Sequence, residues 1–581
     1  MNIRKVDKIL ILIVLLGFVS IILANSTYQG PLVTNTSHVL DVVVTFLFIS
    51  LYFAELFRAK QKLQYLRSNI FETLFVLAFI GVLIYAKYRY FYVNPYAGHN
   101  FPTKIILILS VFNIVRVLAR IKKLNSYIQT LLTHPAQTIM YSFVLVILVG
   151  TILLMMPYST SDHSRMGFIN ALFTATSATC VTGLIVVDTA TKFSLLGKLV
   201  IMTLIQVGAL GIMILGFFVA FLIGKKISYE ERQAMAYMLE LEKKDARKLA
   251  WGIKNIILVT FIFEITGALL MFFSFHHVLG FNLKNAFYSI FHAVSAFCNA
   301  GFALFSDNLA QFGSSVSMNF IIAVLIIAGG LSFVVILNSF GNVKTSFERK
   351  FLNRNIPRQK LKLNTQIVLT ATVILIVTGT FIIYWIEHKP NLLQYGLKTQ
   401  YLMSFFQSVT LRTAGFNTMD ISKLCPATYF IMMLFMFIGG ASGSTAGGIK
   451  VNTLGVAWAY IRSVFTGRED VVLFKHSISK DLVNQAFLVI LLSLTIVFSG
   501  TMLLVLFENK RFLQVAFEAF SAFGTVGLST GITPTLTGAG KLTITLLMFI
   551  GRLGPMTIVA AVARKGEKYD IKYPESQVSI G

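Results

Sequence analysis

The sequence predicts an all-α polytopic membrane protein, built from four helix–half-helix–filter-loop–helix repeats around one pore and preceded by an extra four-helix block. The first observation behind this prediction is composition. Of the 581 residues, 56 % are hydrophobic and 13 % charged, and the mean hydropathy is +0.75. Such values are typical of chains that cross a membrane many times rather than of soluble proteins. The second observation is a glycine-centred pattern that recurs four times.

The recurring glycines lie 118, 114 and 112 residues apart, at positions 183, 301, 415 and 527. An apolar run of ten or eleven residues comes before each of them, at 168–178, 286–296, 400–410 and 513–522. A helix that spans a bilayer needs about 20 apolar residues, so these runs predict half-crossing helices. A longer apolar segment follows each glycine. Self-similarity at a nearly fixed period indicates four copies of one structural unit.

The physics of this unit favours a cation as ligand. A half-helix that ends inside the membrane directs the partial negative charge of its last carbonyls toward the centre. Irregular backbone survives at that depth only where it lines a cavity or is buried in protein. Four such loops can form rings of carbonyl oxygens that replace the hydration shell of an alkali cation. The candidate ligands are the carbonyls of Val181, Thr182, Gly183, Asn299, Ala300, Gly301, Thr413, Ala414, Gly415, Thr525, Val526 and Gly527.

The repeats follow one another with charged connections between them. They are predicted at 134–224, 253–340, 366–460 and 486–563, and a polar tail follows at 564–581. Because each repeat crosses the membrane twice, all connections fall on the same side, and their lysines and arginines place that side and both termini in the cytoplasm. With the preceding block, the expected total is twelve full crossings and four half-helices.

Residues 1–125 stand outside the repeat and contain four further apolar segments. These segments are 9–24, 39–57, 70–85 and 105–119. The first could be a removable signal peptide, but its length favours a membrane helix. The block partly resembles a voltage-sensor domain, since Glu72 opens its third segment and Arg116 and Arg120 end its fourth. A sensing helix carries more arginines, so we favour a structural attachment and keep the voltage sensor as the alternative.

The third repeat contains a glycine-rich break where the other repeats are expected to have a continuous second helix. Five glycines lie within residues 439–448, and each costs about 1 kcal/mol relative to alanine in a helix. The alternative, a small-residue face for helix packing, would space its small residues four apart. We therefore predict an unwound loop in the membrane and a candidate gate. Its residues are Gly439, Gly440, Ser442, Gly443, Ser444, Thr445, Gly447 and Gly448.

Arg552 is the second departure from the pattern. It follows Gly527 by 25 residues, as Gly440 follows Gly415, so we expect it at the depth of the gate loop. A charged residue inside a membrane normally faces a cavity and has a partner, which predicts an electrostatic companion for the gate. Three other polar residues in apolar segments are expected to be structural. They are Glu264, which would bond neighbouring helices, and His292 and Glu518, which would anchor half-helices.

Together, the four glycine loops, the break at 439–448 and Arg552 resemble the Trk/Ktr/HKT superfamily of potassium transporters over residues 134–581. The C-terminal residues 572–575, Lys-Tyr-Pro-Glu, are similar to the bacterial Ktr branch. The resemblance implies potassium uptake across the plasma membrane by a homodimer with a filter of glycine-loop carbonyls in each protomer. It also implies a cytoplasmic ring of RCK subunits that regulates the pore and alone binds nucleotide. The four extra N-terminal helices depart from the family.

Several other classes of function are disfavoured by the sequence. It contains no phosphate-binding Gly-Lys-Ser/Thr loop, HExxH or Cys-x-x-Cys motif, so we expect neither an enzyme nor a cofactor on this chain. The net charge of +26 lies mostly beside apolar segments, which indicates contact with lipid rather than nucleic acid. The alternatives kept are a voltage-gated cation channel and the potassium-translocating subunit of an ATP-driven pump. Sodium stays an alternative ion. In the family that the sequence resembles, glycine at all four filter positions favours potassium.

Overall fold

The computed structural model describes residues 135–211, 249–351 and 360–562, together with isolated positions between 43 and 62. The predicted N-terminal block at 1–125, most of the first charged connection and the tail at 564–581 lie outside the described residues. In the part that is described, the chain is mostly helical and contains four successive units with the same order of elements. Each unit has a first helix, a half-helix, a glycine loop and a second helix.

The first helix of each unit is long and apolar. These helices are Pro135–Met155, Leu249–Leu279, Leu363–Glu387 and Lys480–Phe507. Their outward faces carry exposed apolar side chains such as Ile265, Trp385 and Leu491. A helix face of this kind suits lipid, because a hydrocarbon surface needs no burial against protein in a membrane. The first helices therefore form the perimeter of the described molecule.

The half-helices are short, and each is buried toward its C-terminal end, whereas first-turn residues such as Leu283 and Phe512 are exposed. They are Phe168–Thr179, Leu283–Phe297, Leu397–Thr410 and Phe512–Gly524. Large aromatic side chains, including Phe173, Phe406 and Phe517, are fully enclosed around them. At 12 to 15 residues each, these helices are too short to cross a bilayer. Their C-termini, and the glycine loops that follow, consequently lie inside the protein.

The second helix is interrupted in the second, third and fourth units, which corrects the prediction that only the third would break. In the second unit, Val316–Gly330 and Phe333–Phe351 are separate helices bent by 106°. In the fourth unit, Gly538–Leu553 and Pro555–Val562 are separated by Gly554, whose φ of 82° and following proline both end a helix. Gly211 ends the helix of the first unit with a φ of 80°.

The described residues contain four helices that are long and apolar enough to span a membrane, or five if the bent pair of the second unit counts as one. In the third unit the two parts of the second helix are Pro426–Phe437 and Val451–Phe465, and the predicted loop lies between them. The second helices of the second, third and fourth units are thus pairs of shorter helices.

A short hairpin follows the third unit, in a connection that the sequence marked only as basic. Strands Val471–Leu473 and His476–Ile478 pair antiparallel, and the turn residues Phe474 and Lys475 both have positive φ. Val471 and Ile478 face each other in this pairing and are buried in a small cluster with Ala459. The hairpin therefore packs on the last helix of the third unit.

Two carboxylates tie the first helix of a unit to the start of its second helix. Glu508 directly follows the helix Lys480–Phe507, and its Oε1 accepts hydrogen bonds from the backbone N–H and the hydroxyl of Thr537, both at 2.7 Å. Thr537 is the N-cap of the second helix in that unit. Glu387 does the same in the third unit, where its Oε1 accepts from the backbone N–H of Cys425 at 2.9 Å. A carboxylate at a helix N-terminus also complements the helix dipole.

We predict that Glu508→Ala lowers the free energy of unfolding by about 1–3 kcal/mol, because Thr537 loses two hydrogen bonds to a buried carboxylate. Thermal unfolding of the detergent-solubilised protein measures the effect as a lower Tm. Glu469→Ala, at an exposed acid in the connection after the third unit, is the matched control and should leave the Tm unchanged. Equal Tm values for Glu508→Ala and the unaltered protein would contradict this role.

Candidate ion-binding site

The four recurring glycines form a closed ring. A Cβ built on Gly183 would lie 3.1 Å from the Cα of Gly301, and one built on Gly301 would lie 2.9 Å from the Cα of Gly415. The series continues from Gly415 to Gly527 at 3.3 Å and returns from Gly527 to Gly183 at 3.0 Å. The loops thus meet in sequence order, each in contact with the next. No side chain can enter this ring without moving backbone atoms.

The backbone conformation of the loops is as restrictive as their packing. The glycines have φ values of 93°, 69°, 76° and 93° in chain order, in the region that favours glycine. The residue two positions before each glycine is also left-handed: Val181 at 57°, Asn299 at 60°, Thr413 at 65° and Thr525 at 50°. The residue between them is not. Left-handed residues therefore alternate with another conformation in all four loops.

A serine six residues before the glycine braces three of the four loops. Ser177 shows the full pattern: its hydroxyl donates to the carbonyl of Leu184 at 2.7 Å and accepts from the N–H of Gly183 at 3.1 Å. Ser295 makes the first of these bonds, at 2.8 Å, and Ser521 makes the second, at 3.1 Å. Our sequence analysis missed these serines, although their constant spacing from the glycine could have identified them.

His292 and Glu518 both lie nine residues before their glycines and hold the segment that follows the loop. The Nε2 of His292 accepts the N–H of Leu304 at 3.2 Å, so its Nδ1 carries the proton and donates to a backbone carbonyl at 2.7 Å. Glu518 Oε1 accepts the N–H of Thr530 at 2.9 Å. Each acceptor thus bonds the residue three positions after its glycine. The sequence predicted that His292 and Glu518 would anchor the half-helices. In the structure, each side chain ties its half-helix to the segment that follows the glycine.

Glu264 connects the first two units behind the second loop. It is buried, and its Oε1 lies 3.8 Å from the Sγ of Cys298, which in turn lies 3.6 Å from Gln206 of the first unit. This environment fits the structural acid that the sequence predicts. The three cysteines of the chain, Cys298 included, are free thiols.

The glycine-rich loop of the third unit packs against the second and fourth units beside the ring. Its two ends are tied together, because Gly439 donates to the carbonyl of Ile449 at 2.8 Å. Its middle is bound to the second unit, where the hydroxyl of Thr445 donates to the carbonyl of Gly329 at 2.9 Å. Ser444 bonds within the loop, whereas the side chain of Ser442 makes no hydrogen bond to any residue that the structure describes.

The same loop also touches the glycine ring directly. The N–H of Gly447 donates to the hydroxyl of Thr525 at 3.1 Å, and both residues are buried. A Cβ built on Gly447 would lie 2.7 Å from the Cγ2 of Thr525, so glycine is required for this close approach. Thr525 is one of the left-handed residues of the fourth glycine loop. The candidate gate and the candidate filter are therefore in contact.

Arg552 bridges the loop of the third unit and the first unit. Its Nη1 donates to the carbonyl of Thr445, and its Nη2 donates to the carbonyls of Gly208 and Ala209 at 2.6 and 3.3 Å. The partner that the sequence led us to expect is thus a set of backbone carbonyls. Gly208 and Ala209 are near the C-terminus of the first unit's second helix, where a cation is favourable. The guanidinium therefore holds the loop of the third unit to the second helix of the first.

Comparison with known proteins places this geometry in a family. A family model described as a cation transport protein, TrkH, matches residues 102–569. Ktr system potassium uptake protein B of Bacillus subtilis (strain 168) is 39 % identical over 453 residues, which is 77 % of this chain and 97 % of that relative. Potassium/sodium uptake protein NtpJ of Enterococcus hirae is 37 % identical over 460 residues, again covering 77 % and 97 %.

A solved structure has the same fold. The potassium transporter TrkH from Vibrio parahaemolyticus matches with a TM-score of 0.60, over 85 % of this chain and 97 % of that one, at 16 % identity. At this identity the likeness concerns the fold alone. The family match, by contrast, covers most of the sequence, including all four glycine loops and Arg552. The chain therefore belongs to the TrkH family of cation transport proteins.

Proposed function

We propose that the chain mediates potassium uptake across the plasma membrane through a channel-like pore. Its selectivity filter is the ring of carbonyls at 181–183, 299–301, 413–415 and 525–527, and its gate is the loop at 439–448 with Arg552. The observation that carries this proposal is the closed ring of four left-handed glycines. Two relatives at 37–39 % identity bear names of potassium or potassium/sodium uptake proteins, which supports the choice of ion.

The filter acts by replacing water around the ion. Carbonyl oxygens from four loops surround a dehydrated cation, and their number and field strength set the preference among alkali cations. The bonds to Ser177, Ser295 and Ser521 restrain three of the loops from behind. Sodium remains the alternative transported ion, and competition between the two ions in uptake assays decides between them.

The gate acts by position and by charge. The loop lies against Thr525 on the inner side of the ring, where it obstructs the path of an ion that leaves the filter. Arg552 holds the loop through the carbonyl of Thr445 and places a positive charge beside the same path. Both effects favour a closed pore until a force on the adjoining helix, Val451–Phe465, moves the loop.

The proposal includes the assembly that the resemblance implies. The chain forms a homodimer with one pore in each protomer, both termini lie in the cytoplasm, and a ring of nucleotide-binding RCK subunits supplies the regulatory force. Residues 1–125 serve as an attached module. Rescue of a potassium-uptake-deficient bacterium with and without the RCK partner separates this proposal from the subunit of an ATP-driven pump. Loss of steep voltage dependence on neutralising Arg116 and Arg120 would favour the voltage-gated alternative.

We expect Gly183→Ser to reduce discrimination between potassium and sodium, or to abolish uptake. A Cβ at this position meets the carbonyl of Ala300 and forces the neighbouring loop outward. Isotope uptake in the deficient bacterium measures the ratio of the two ions. Gly167→Ser in the same unit is the control, because a Cβ there meets no atom within 4 Å. Normal discrimination in well-expressed Gly183→Ser protein would count against the filter assignment.

Arg552→Ala should raise the uptake rate and leave the ion preference unchanged. The substitution removes the three carbonyl contacts that stabilise the closed arrangement. Losing about 1.4 kcal/mol of that stabilisation shifts the gating equilibrium tenfold. Initial rates of uptake into proteoliposomes test this, with the exposed Arg165→Ala as the control for a lost arginine. A slower Arg552→Ala protein, or one with altered selectivity, would show that the arginine is structural.

A further inference from the structure

The third glycine loop lacks the internal brace found in the other three. Val409 occupies the position of the bracing serines, six residues before Gly415, and has no hydroxyl. The next hydroxyl along the chain, that of Thr410, is buried and has no hydrogen-bond partner among the residues that the structure describes. The turn before Gly415 is also one residue shorter than in the other loops. The N–H of Ala414 donates to the carbonyl of Thr410, four residues back, at 3.0 Å, whereas the equivalent N–H groups of the other loops donate five residues back.

Support for this loop comes instead from the segment that follows the second glycine loop. The side-chain Nδ2 of Asn308 lies 3.4 Å from the carbonyl oxygen of Gly415, and its Oδ1 lies 3.4 Å from the backbone N–H of Asn417. The next residue, Leu309, donates its N–H to the carbonyl of Asn417 at 3.2 Å. One short segment of the second unit thus contacts both the third filter glycine and the residue two positions after it.

The backbone of Asn308 is shaped for this contact. Its φ is 58°, a left-handed conformation in which asparagine is enriched because its short amide tolerates the crowding. The amide is half-buried and offers one donor and one acceptor to two groups of the same loop. Within the described residues, the carbonyls of Gly183, Gly301 and Gly527 receive no such side-chain donor. The third quadrant of the ring is therefore the one supported by a neighbouring unit.

We propose that Asn308 is a positioning residue of the selectivity filter. It orients the carbonyl of Gly415 from outside the loop and so supplies, from the second unit, the restraint that serine supplies in the other three. Because Gly415 packs directly against Gly301 and Gly527, a change in its carbonyl alters the shape of the whole ring. Asn308 thereby contributes to the discrimination between potassium and sodium. This inference rests on the proposed function of the ring as a filter.

Asn308→Gly tests the side chain without straining the backbone, because glycine adopts a φ of 58° freely. The matched control is His163→Gly, another exchange at a left-handed residue, with φ of 51°, in the loop before the first half-helix. Potassium uptake at graded sodium concentrations, in the deficient bacterium and in proteoliposomes, gives the discrimination ratio. We expect Asn308→Gly to lower this ratio about fivefold, the effect of one lost hydrogen bond, and His163→Gly to leave it unchanged.

Asn308→Asp gives a second reading that does not depend on transport. It keeps the acceptor for Asn417 but sets a carboxylate oxygen against the carbonyl of Gly415. In purified protein, the rise in Tm caused by potassium relative to sodium should be smaller for this variant than for the unaltered chain. Unchanged discrimination and an unchanged difference in Tm would overturn the role of Asn308 while leaving the filter in place. An unaltered chain that neither transports nor distinguishes the two ions would reject the proposed function itself, and the inference with it.

Discussion

The structure depends on a place where four stretches of backbone meet with no room for a side chain. At Gly183, Gly301, Gly415 and Gly527 a Cβ would meet the carbonyl of the residue before the next glycine in the ring. Backbone that approaches backbone this closely leaves carbonyls without partners in the loop, and unpaired carbonyls in a low-dielectric interior are costly. In the proposed function, a dehydrated cation offsets that cost. The same constraint then accounts for both the loop conformation and the proposed class of ligand.

Much of the surrounding protein serves to hold these loops at that distance. The second helices of the first, second and fourth units carry glycines at 208, 329 and 551, where a Cβ would meet the last carbonyls of the half-helices. These glycines let the second helices pack directly behind the loops. In the third unit the corresponding glycine, Gly439, faces the carbonyl of Gly447 within its own loop instead. In the third unit, which contains the proposed gate, Gly439 therefore does not pack against the carbonyls of the half-helix as the corresponding glycines of the other three units do.

Local patterns in the sequence were enough to predict the glycine loops, the half-helices and the glycine-rich break, because each rests on the residue types of one short segment. The end of a helix at Gly211 and the break at Gly554 were missed because a single glycine in an apolar helix also serves as a packing position. The contact of Asn308 with Gly415 joins residues 107 apart, and only the fold brings them together. For Arg552 the sequence predicted part of the result. Its spacing from Gly527 predicted a place beside the glycine-rich loop, but nothing in the sequence predicted that its partners are backbone carbonyls.

The proposed gate and the proposed filter are not mechanically independent in this arrangement. The loop at 439–448 is bonded to the second unit through Thr445, to the fourth through Thr525, and to the first through Arg552. Each of these bonds must break or shift if the loop leaves the path of the ion. Thr525 belongs to the glycine ring, so withdrawal of Gly447 frees a hydroxyl at the inner end of the filter. In the proposed function, opening of the loop therefore both clears the path of the ion and changes the chemistry of the last position that the ion leaves.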